Sequence, residues 1–463
     1  MDADEIDRAL DRARQFAEAG SSDDARDVYL RVVAAAPDHL RALTDFGTFL
    51  VRSGFRAAAR TVYERAVGVA PQSALAHANL AGVLYAANDY EGARRSYAAA
   101  LALEPEMAAA HQGLSYALTR LEREDEALVH RRLGFAGRAL ETAPFRGAGR
   151  PVEVLLLVAA RGGTLYTESF LDERIFRTTT LVADAYDGEP LPPVDVIFNA
   201  IADADRAPAE LRAMDGLTAA ARAPVLNPPA RVLATARESN AARLAALDGV
   251  VAPRTVRARS ADVLADPGGV AARNGLTFPL LARAPGFHTG QHFEPAADAA
   301  ALAAAVAVFP SDEVFLIEYI DVRNSDGAVR KFRMMGIGDA LYPMHVAVAD
   351  AWKVHYFTAG MASDAAKRAE DARFLADPRA AIGGAAYAAL ERIRAEIRLD
   401  YMGIDFALDR AGRVVVFEAN ATMIVLPPGP EPIWDYRRAP VERALDAARN
   451  LLLRHNETEP FTA

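Results

Sequence analysis

The chain of 463 residues contains no cysteine, which removes disulfides, thiolate nucleophiles and cysteine zinc sites together. Lysine is nearly as scarce. Positive charge rests on 49 arginines and only three lysines, Lys331, Lys353 and Lys367. No apolar run approaches the ~20 residues of a membrane span. The opening MDADEIDRAL lacks the basic-then-apolar order of a secretory signal, so a soluble cytoplasmic protein that does not engage a membrane is expected. A net charge of −10 and a pI near 5.5 argue against a nucleic-acid partner. What remains is a globular composition, 52% hydrophobic and 25% charged, in a length that suggests about three domains.

Residues 1–140 repeat themselves. Pro37, Pro71 and Pro105 are 34 apart, as are Tyr29, Tyr63 and Tyr97, Ala25, Ala59 and Ala93, and Phe46, Leu80 and Leu114. Helix pairs are expected near 2–35, 38–69, 72–103 and 106–140. In the last pair Arg131 takes the tyrosine position, as expected where a solenoid ends. The period and pattern resemble tetratricopeptide repeats, a resemblance that implies a groove for a peptide or protein partner. A structural or dimerising appendage is the competing reading. Asn79 and Gln112, on first helices, are candidate groove residues.

Residues 141–151, with two prolines and two glycines, read as a linker. PVEVLLLVAA and PVDVIFNA then read as buried strands, with helical stretches between and after them, giving a small α/β domain over 152–228. Arg161, Gly162, Gly163 and Thr164 follow its first strand, where open α/β sheets bind ligands. A tight turn without a ligand explains them equally well. FPLLARAPGFHTGQHF reads as strand, glycine-bearing loop, strand; backbone amides in such a loop can fold over phosphates at low steric cost through Gly286 and Gly290, while a plain hairpin is the more frequent explanation. VFLIEYID is an apolar strand ending in polar residues. The segment 328–361 gathers Arg330, Lys331, Arg333, His345, Lys353 and His355 on strand-like sequence, with Lys353 and His355 on one face.

GIDFALDRAGRVVVFEAN (403–420) reads as a β-hairpin. If 410–413 connect its strands, Asp409 pairs with Val414 and Asp405 lies opposite Glu418, with Asn420 on the same face. Ile404, Phe406, Leu408, Val415, Phe417 and Ala419 then share the other face, while Ala407, Val414 and Val416 accompany the polar residues. Two carboxylates and an amide oxygen suit Mg²⁺, which shares its coordination with phosphate oxygens. A solvated polar face is the alternative.

LDYMGIDFALDRAGRVVVFEANAT resembles the metal-binding end of ATP-grasp ligases, and is most similar to prokaryotic glutathione synthetases. With the upstream matches the resemblance spans roughly 151–460. It implies a multidomain chain: an all-α repeat solenoid (1–140), the linker, a preceding α/β domain (152–228) and an α+β ATP-grasp domain (229–463). It further implies ATP and two Mg²⁺ ions, the latter on Asp405, Glu418 and Asn420. Nucleotide contacts fall on Arg243, Arg283, Gly286, His288, Gly290, Glu318, Tyr319, Ile320 and Asp321, and catalytic contacts on Arg333, Lys353 and His355. Arg237 and Asn240 also match family positions. Two family lysines are missing. One position is Ala242, with Arg243 beside it, and the other is Arg283, whose planar fork is not equivalent to an ammonium.

The implied activity is ATP-dependent ligation of a carboxylate to an amine through an acyl phosphate, on small-molecule or peptide substrates, with the repeats recruiting a peptide or protein. A homodimer follows by analogy alone. The alternatives are a nucleotide-sensing repeat scaffold without ligase activity, and a phosphotransferase using the same site.

Overall fold

The structure, a computed structural model, describes residues 1–121, 123–287, 290–354 and 356–454. His288 and His355 lie outside the described residues. The chain divides into two compact units, Met1–Ala139 and Leu140–Ala463.

The first unit is a tetratricopeptide-like array of eight helices: α1 (Ala3–Glu18), α2 (Ser22–Ala35), α3 (Leu40–Arg52), α4 (Arg56–Val69), α5 (Ala74–Ala86), α6 (Tyr90–Leu103), α7 (Ala108–Arg120) and α8 (Glu124–Phe135). The repeated columns are its core, since Tyr29, Tyr63, Tyr97, Ala25, Ala59 and Ala93 are all buried. The three alanines of the repeat have no solvent exposure at all. At Gly47 even a methyl group would stand 2.4 Å from Cε1 of Tyr63. Arg131, in place of the fourth tyrosine, is buried and donates to Glu124 at 3.1 Å and Thr119 at 2.9 Å. A paired cation thus fills the space that the aromatic ring fills elsewhere. The last helix ends at Phe135 and the unit at Ala139, at the expected end near 140, where Leu140 begins a strand of the second unit.

That second unit opens with β1 (Leu140–Thr142), β2 (Val152–Val158), β3 (Phe176–Val182), β4 (Val196–Asn199) and β5 (Val225–Leu226), in sheet order β1-β3-β2-β4-β5. β2 to β5 run parallel and β1 pairs antiparallel with β3. Two expectations need correction here. The linker's first residues belong to β1, and the connections 159–175 and 183–195 contain no helix among the described residues. Gly162 and Gly163 have left-handed backbones, and Pro190, Pro192 and Pro193 interrupt the second connection, so neither can sustain a helix. The helix Pro208–Ala219 follows β4.

Beyond residue 228 come β6 (Val250–Val251), β7 (Thr255–Arg259), β8 (Leu280–Arg283), β9 (Phe293–Ala296), β10 (Glu313–Glu318), β11 (Val329–Ile337), β12 (Ala340–Ala349), β13 (Tyr401–Leu408) and β14 (Val414–Asn420). They build two sheets, β7-β10-β8-β9 and β12-β11-β13-β14-β6. The first is antiparallel throughout. In the second, one face packs on helices Gly384–Ile397 and Asp435–Leu453 through Phe332, Met334, Ile404, Phe406, Leu390 and Leu445.

The hairpin β13–β14 departs from the expected register. Asp405 is opposite Glu418, but Leu408 and not Asp409 pairs with Val414, because a bulge falls between Asp405 and Phe406 and gives β14 one extra residue. The apolar faces shift accordingly. Val414 and Val416 join Ile404, Phe406 and Ala419 in the main core, while Val415 and Phe417 lie with Ala407 on the other side. Among the described residues no helix is long and apolar enough to cross a membrane.

Candidate functional site

A cleft of about 860 Å³ is lined by residues of the last two sheets and of the loops between them. Its chemistry is densest on β11, β13 and β14, where Arg333, Asp405 and Glu418 are successive Cα partners; His345, opposite Arg333 on β12, continues the row outside the cleft lining. Two bulges fall at this row, one between Asp405 and Phe406 and one between Arg333 and Met334. The second adjoins Pro343 on β12, which has no N–H to give to a ladder. Bulges re-aim side chains, and here they flank a line of four polar residues.

Asp405 is 1% exposed. Arg333 donates through Nε to Oδ1 at 2.6 Å and through a terminal nitrogen to Oδ2 at 2.9 Å, and Lys331 Nζ lies 2.6 Å from Oδ2. Burial alone would raise the carboxyl's pKa, but Lys331 and Arg333 outweigh it and hold the group far below the usual carboxylate range. Glu418 is half-buried. Its Oε1 accepts from Arg237 and from Asn420 Nδ2, each at 3.0 Å. Arg237 and Arg283 likewise overcome the effect of burial and lower its pKa. Asn420 Oδ1 accepts from Thr422, from its N–H at 3.0 Å and its hydroxyl at 2.7 Å.

Arg283, at the end of β8, donates to the Phe287 carbonyl at 2.6 Å, and burial together with the neighbouring Arg237 lowers its pKa to about 10. Gly286 and Gly290 also line the cleft, both with left-handed backbones. Lys353 donates to the Phe293 carbonyl at 3.2 Å and packs over Gly290, where a methyl group would stand 2.4 Å from Lys353 Cε. Lys353 sits in a bend after β12, not on a strand.

At the other end the ladder of β10 stops at Glu318. Among the described residues Tyr319 and Ile320, which border the cleft, lie beyond that ladder. Asp321, also lining it, accepts from Arg323 N–H at 3.1 Å and Nε at 2.9 Å.

Arg243 requires a correction. It lies outside this cleft, donates to Asn240 at 2.9 Å and approaches Glu396 at 3.8 Å, beside a smaller surface depression. Arg237 occupies the cleft in its place. Two contributors were not anticipated. Asp205, next to Asp203, accepts from Arg257 at 2.6 Å and from the Arg237 N–H at 3.0 Å. Only the run IADADRAP after β4, at the mouth of a parallel sheet, hinted at them.

Asp405, Glu418 and Asn420 offer hard oxygen donors, which fits a hard divalent cation. No cluster of three His, Asp or Glu forms a ready-made cage among the described residues. The lining balances Arg237, Arg283, Lys331, Arg333 and Lys353 against Asp203, Asp205, Glu318, Asp321, Asp405 and Glu418, one carboxylate more than cations.

No protein-family model matches the chain, and neither does any curated protein. Among solved structures it is similar to MamA of MSR-1, with 23% identity over 29% of this chain and 78% of that one and a TM-score of 0.26. A fragment of MamA from Desulfovibrio magneticus RS-1, from residue 41 to its end, gives 24% identity over 27% and 71%, also at 0.26. A further MamA structure gives 18% over 28% and 76%, at 0.27. Likenesses at this level carry no argument about activity or partners.

Proposed function

We propose that the second unit is an ATP-grasp ligase that joins a carboxylate to an amine at the cost of ATP. The observation that carries this reading is the cleft in which Asp405, Glu418 and Asn420 meet Lys331, Arg333, Arg237 and Arg283, with the peptide groups of Tyr319 and Ile320 at its other end. In this reading those peptide groups receive the edge of the base, and the Gly286–Gly290 loop covers the phosphates.

A polyphosphate alone would meet a lining with no surplus of positive charge. Magnesium fits that deficit: two Mg²⁺ ions held by Asp405, Glu418 and Asn420 would neutralise phosphate charge and orient the chain of phosphates. Arg333 and Lys331 would then turn from Asp405 toward the nucleotide, and a substrate carboxylate oxygen attacks the γ-phosphorus as the bond to ADP breaks. Lys331, Arg333 and Lys353 carry the charge that spreads over the transferred group. An amine attacks the acyl carbon, phosphate leaves with its oxygen, and the amine gives up a proton. The helical array would recruit a peptide as one of the two substrates.

One observation favours a nucleotide sensor without ligase activity: both oxygens of Asp405 are already engaged by cations. The deciding experiment is ADP release with Mg-ATP and pooled amino acids and peptides, comparing wild type with Glu418→Ala by product mass. A new amide mass that disappears in the variant supports the ligase, whereas magnesium-dependent binding without turnover favours the sensor. Peptide turnover unchanged by deletion of residues 1–139 would remove the recruitment role.

A further inference from the structure

Beside the cleft, and sharing no residue with it, lies a second polar cluster. Asp371, on the helix Ala365–Ala376, has no solvent exposure. Its Oδ1 accepts the Val346 N–H of β12 at 2.8 Å. Its Oδ2 accepts the hydroxyls of Tyr436 at 2.7 Å and Tyr356 at 3.2 Å, with Arg437 Nε at 3.9 Å. The Arg437 guanidinium covers the Tyr356 ring at 4.4 Å, and His345 packs against that ring at 4.6 Å. A carboxylate fully removed from water is costly unless hydrogen bonds and a counter-charge compensate. Here the donors come from three separate stretches of chain.

One of those stretches, that of Tyr356, borders the cleft. Tyr356 opens the short helix Tyr356–Thr358, which follows Trp352 and Lys353, and Trp352, Lys353 and Thr358 all line the cleft. Tyr436 lies just after the proline-rich run 426–434. His345, against Tyr356, is the cross-strand partner of Arg333. Through Tyr356 the cluster ties down the segment that brings a scarce lysine to Gly290.

We infer that Asp371 is a positioning residue for the cleft, fixing through Tyr356 where Lys353 stands against Gly290 and Phe293. The functional meaning of that position rests on the ATP-grasp reading, but the positioning itself does not. Val346 and Tyr436 hold the carboxylate still, Tyr356 transmits its position to the cleft-side segment, and the Arg437 guanidinium above the ring closes the cluster.

The small number of lysines makes this measurable without any substrate. Amine-selective acylation of the full chain, read by mass spectrometry, reports Lys353 separately from Lys331, which is paired with Asp405. Tyr356→Phe removes one hydroxyl and keeps the ring. It should raise Lys353 labelling roughly fivefold or more, the population change expected from one lost hydrogen bond to a charged group, with Lys331 labelling unchanged. Tyr436→Phe, which loosens the carboxylate from the other side, should have a smaller effect on Lys353. Asp371→Asn should act at least as strongly as Tyr356→Phe if it folds. Equal labelling of Lys353 in wild type and a folded Tyr356→Phe would overturn the inference, as would an equal rise at both lysines, which reports general loosening. Calorimetric titration of the same samples with Mg-ATP separates the two ideas. Absence of binding in wild type counts against the ATP-grasp reading and leaves the labelling result intact.

Discussion

Arg333 on β11 faces Asp405 on β13 as its direct cross-strand partner, and its guanidinium spans both oxygens of a carboxylate that is almost wholly buried. The pair is a structural brace until a competing anion reaches the arginine. Removing the carboxylate strands two cations. Asp405→Ala should therefore cost about 3–5 kcal/mol in urea unfolding. A loss below ~1 kcal/mol, the range of an exposed pair, would mean that the brace is open in solution.

Two arginines were expected to touch nucleotide, and the structure separates them. Arg283 lines the cleft and Arg243 does not. Arg283→Ala should weaken Mg-ATP binding by about tenfold or more, the scale of a lost charge-assisted hydrogen bond, while Arg243→Ala should leave it within about twofold. Calorimetric titration of both variants distinguishes them, and equal losses would contradict the placement.

Gly286 and Gly290 have nearly the same left-handed backbone, with φ of 77° and 76°, yet only Gly290 has Lys353 against it. Alanine costs about 1–2 kcal/mol of backbone strain at either position. At Gly290 it must also displace the Lys353 side chain. Gly290→Ala should accordingly impair nucleotide affinity more than Gly286→Ala, and the reverse order would place the closing contact elsewhere in the loop.

In the helical array, Gly47→Ala drives a methyl group into Tyr63, whereas nothing lies within 4 Å of a methyl group at Gly68. In a fragment of residues 1–139, the first variant should lose about 1–3 kcal/mol to overpacking and the second should gain up to ~1 kcal/mol from helix propensity. Thermal melts followed by circular dichroism check both signs.

The same fragment should unfold in alkali. Burial, aided at Tyr29 by Asp45, raises the hydroxyl pKa values of Tyr29 and Tyr97 to about 12. The folded values exceed the unfolded one near ~10. The stability linked to these groups is therefore complete below pH ~10 and is lost as pH rises toward 12. Tyrosinate absorbance should appear together with loss of helix, and Tyr97→Phe should weaken that coupling. Ionisation of these tyrosines in a still-helical fragment would contradict their burial.

The repeat period was legible because each column returns to an equivalent packing environment. The opposition of Asp405 and Glu418 was expected from a pairing of Asp409 with Val414 that does not form; Leu408 pairs with Val414 instead, and the bulge beside Asp405 restores the offset. Val414, Val415 and Val416 are all buried, so β14 offers no polar alternation to fix its register. The misplacement of Arg243 was avoidable. Arg237, Asn240, Ala241 and Leu244 follow helical spacing, all four line the cleft, and Arg243 falls off that face. Asp205 and Arg257, 52 residues apart, meet only through tertiary structure, and no local pattern announces them.

Helices α2, α4, α6 and α8 begin at residues 22, 56, 90 and 124, so one whole packing interface recurs with every copy of the motif. Duplication or loss of a single internal copy would lengthen or shorten the array while reproducing an interface that already exists. Selection could thus change the length of the array without altering any residue of the cleft.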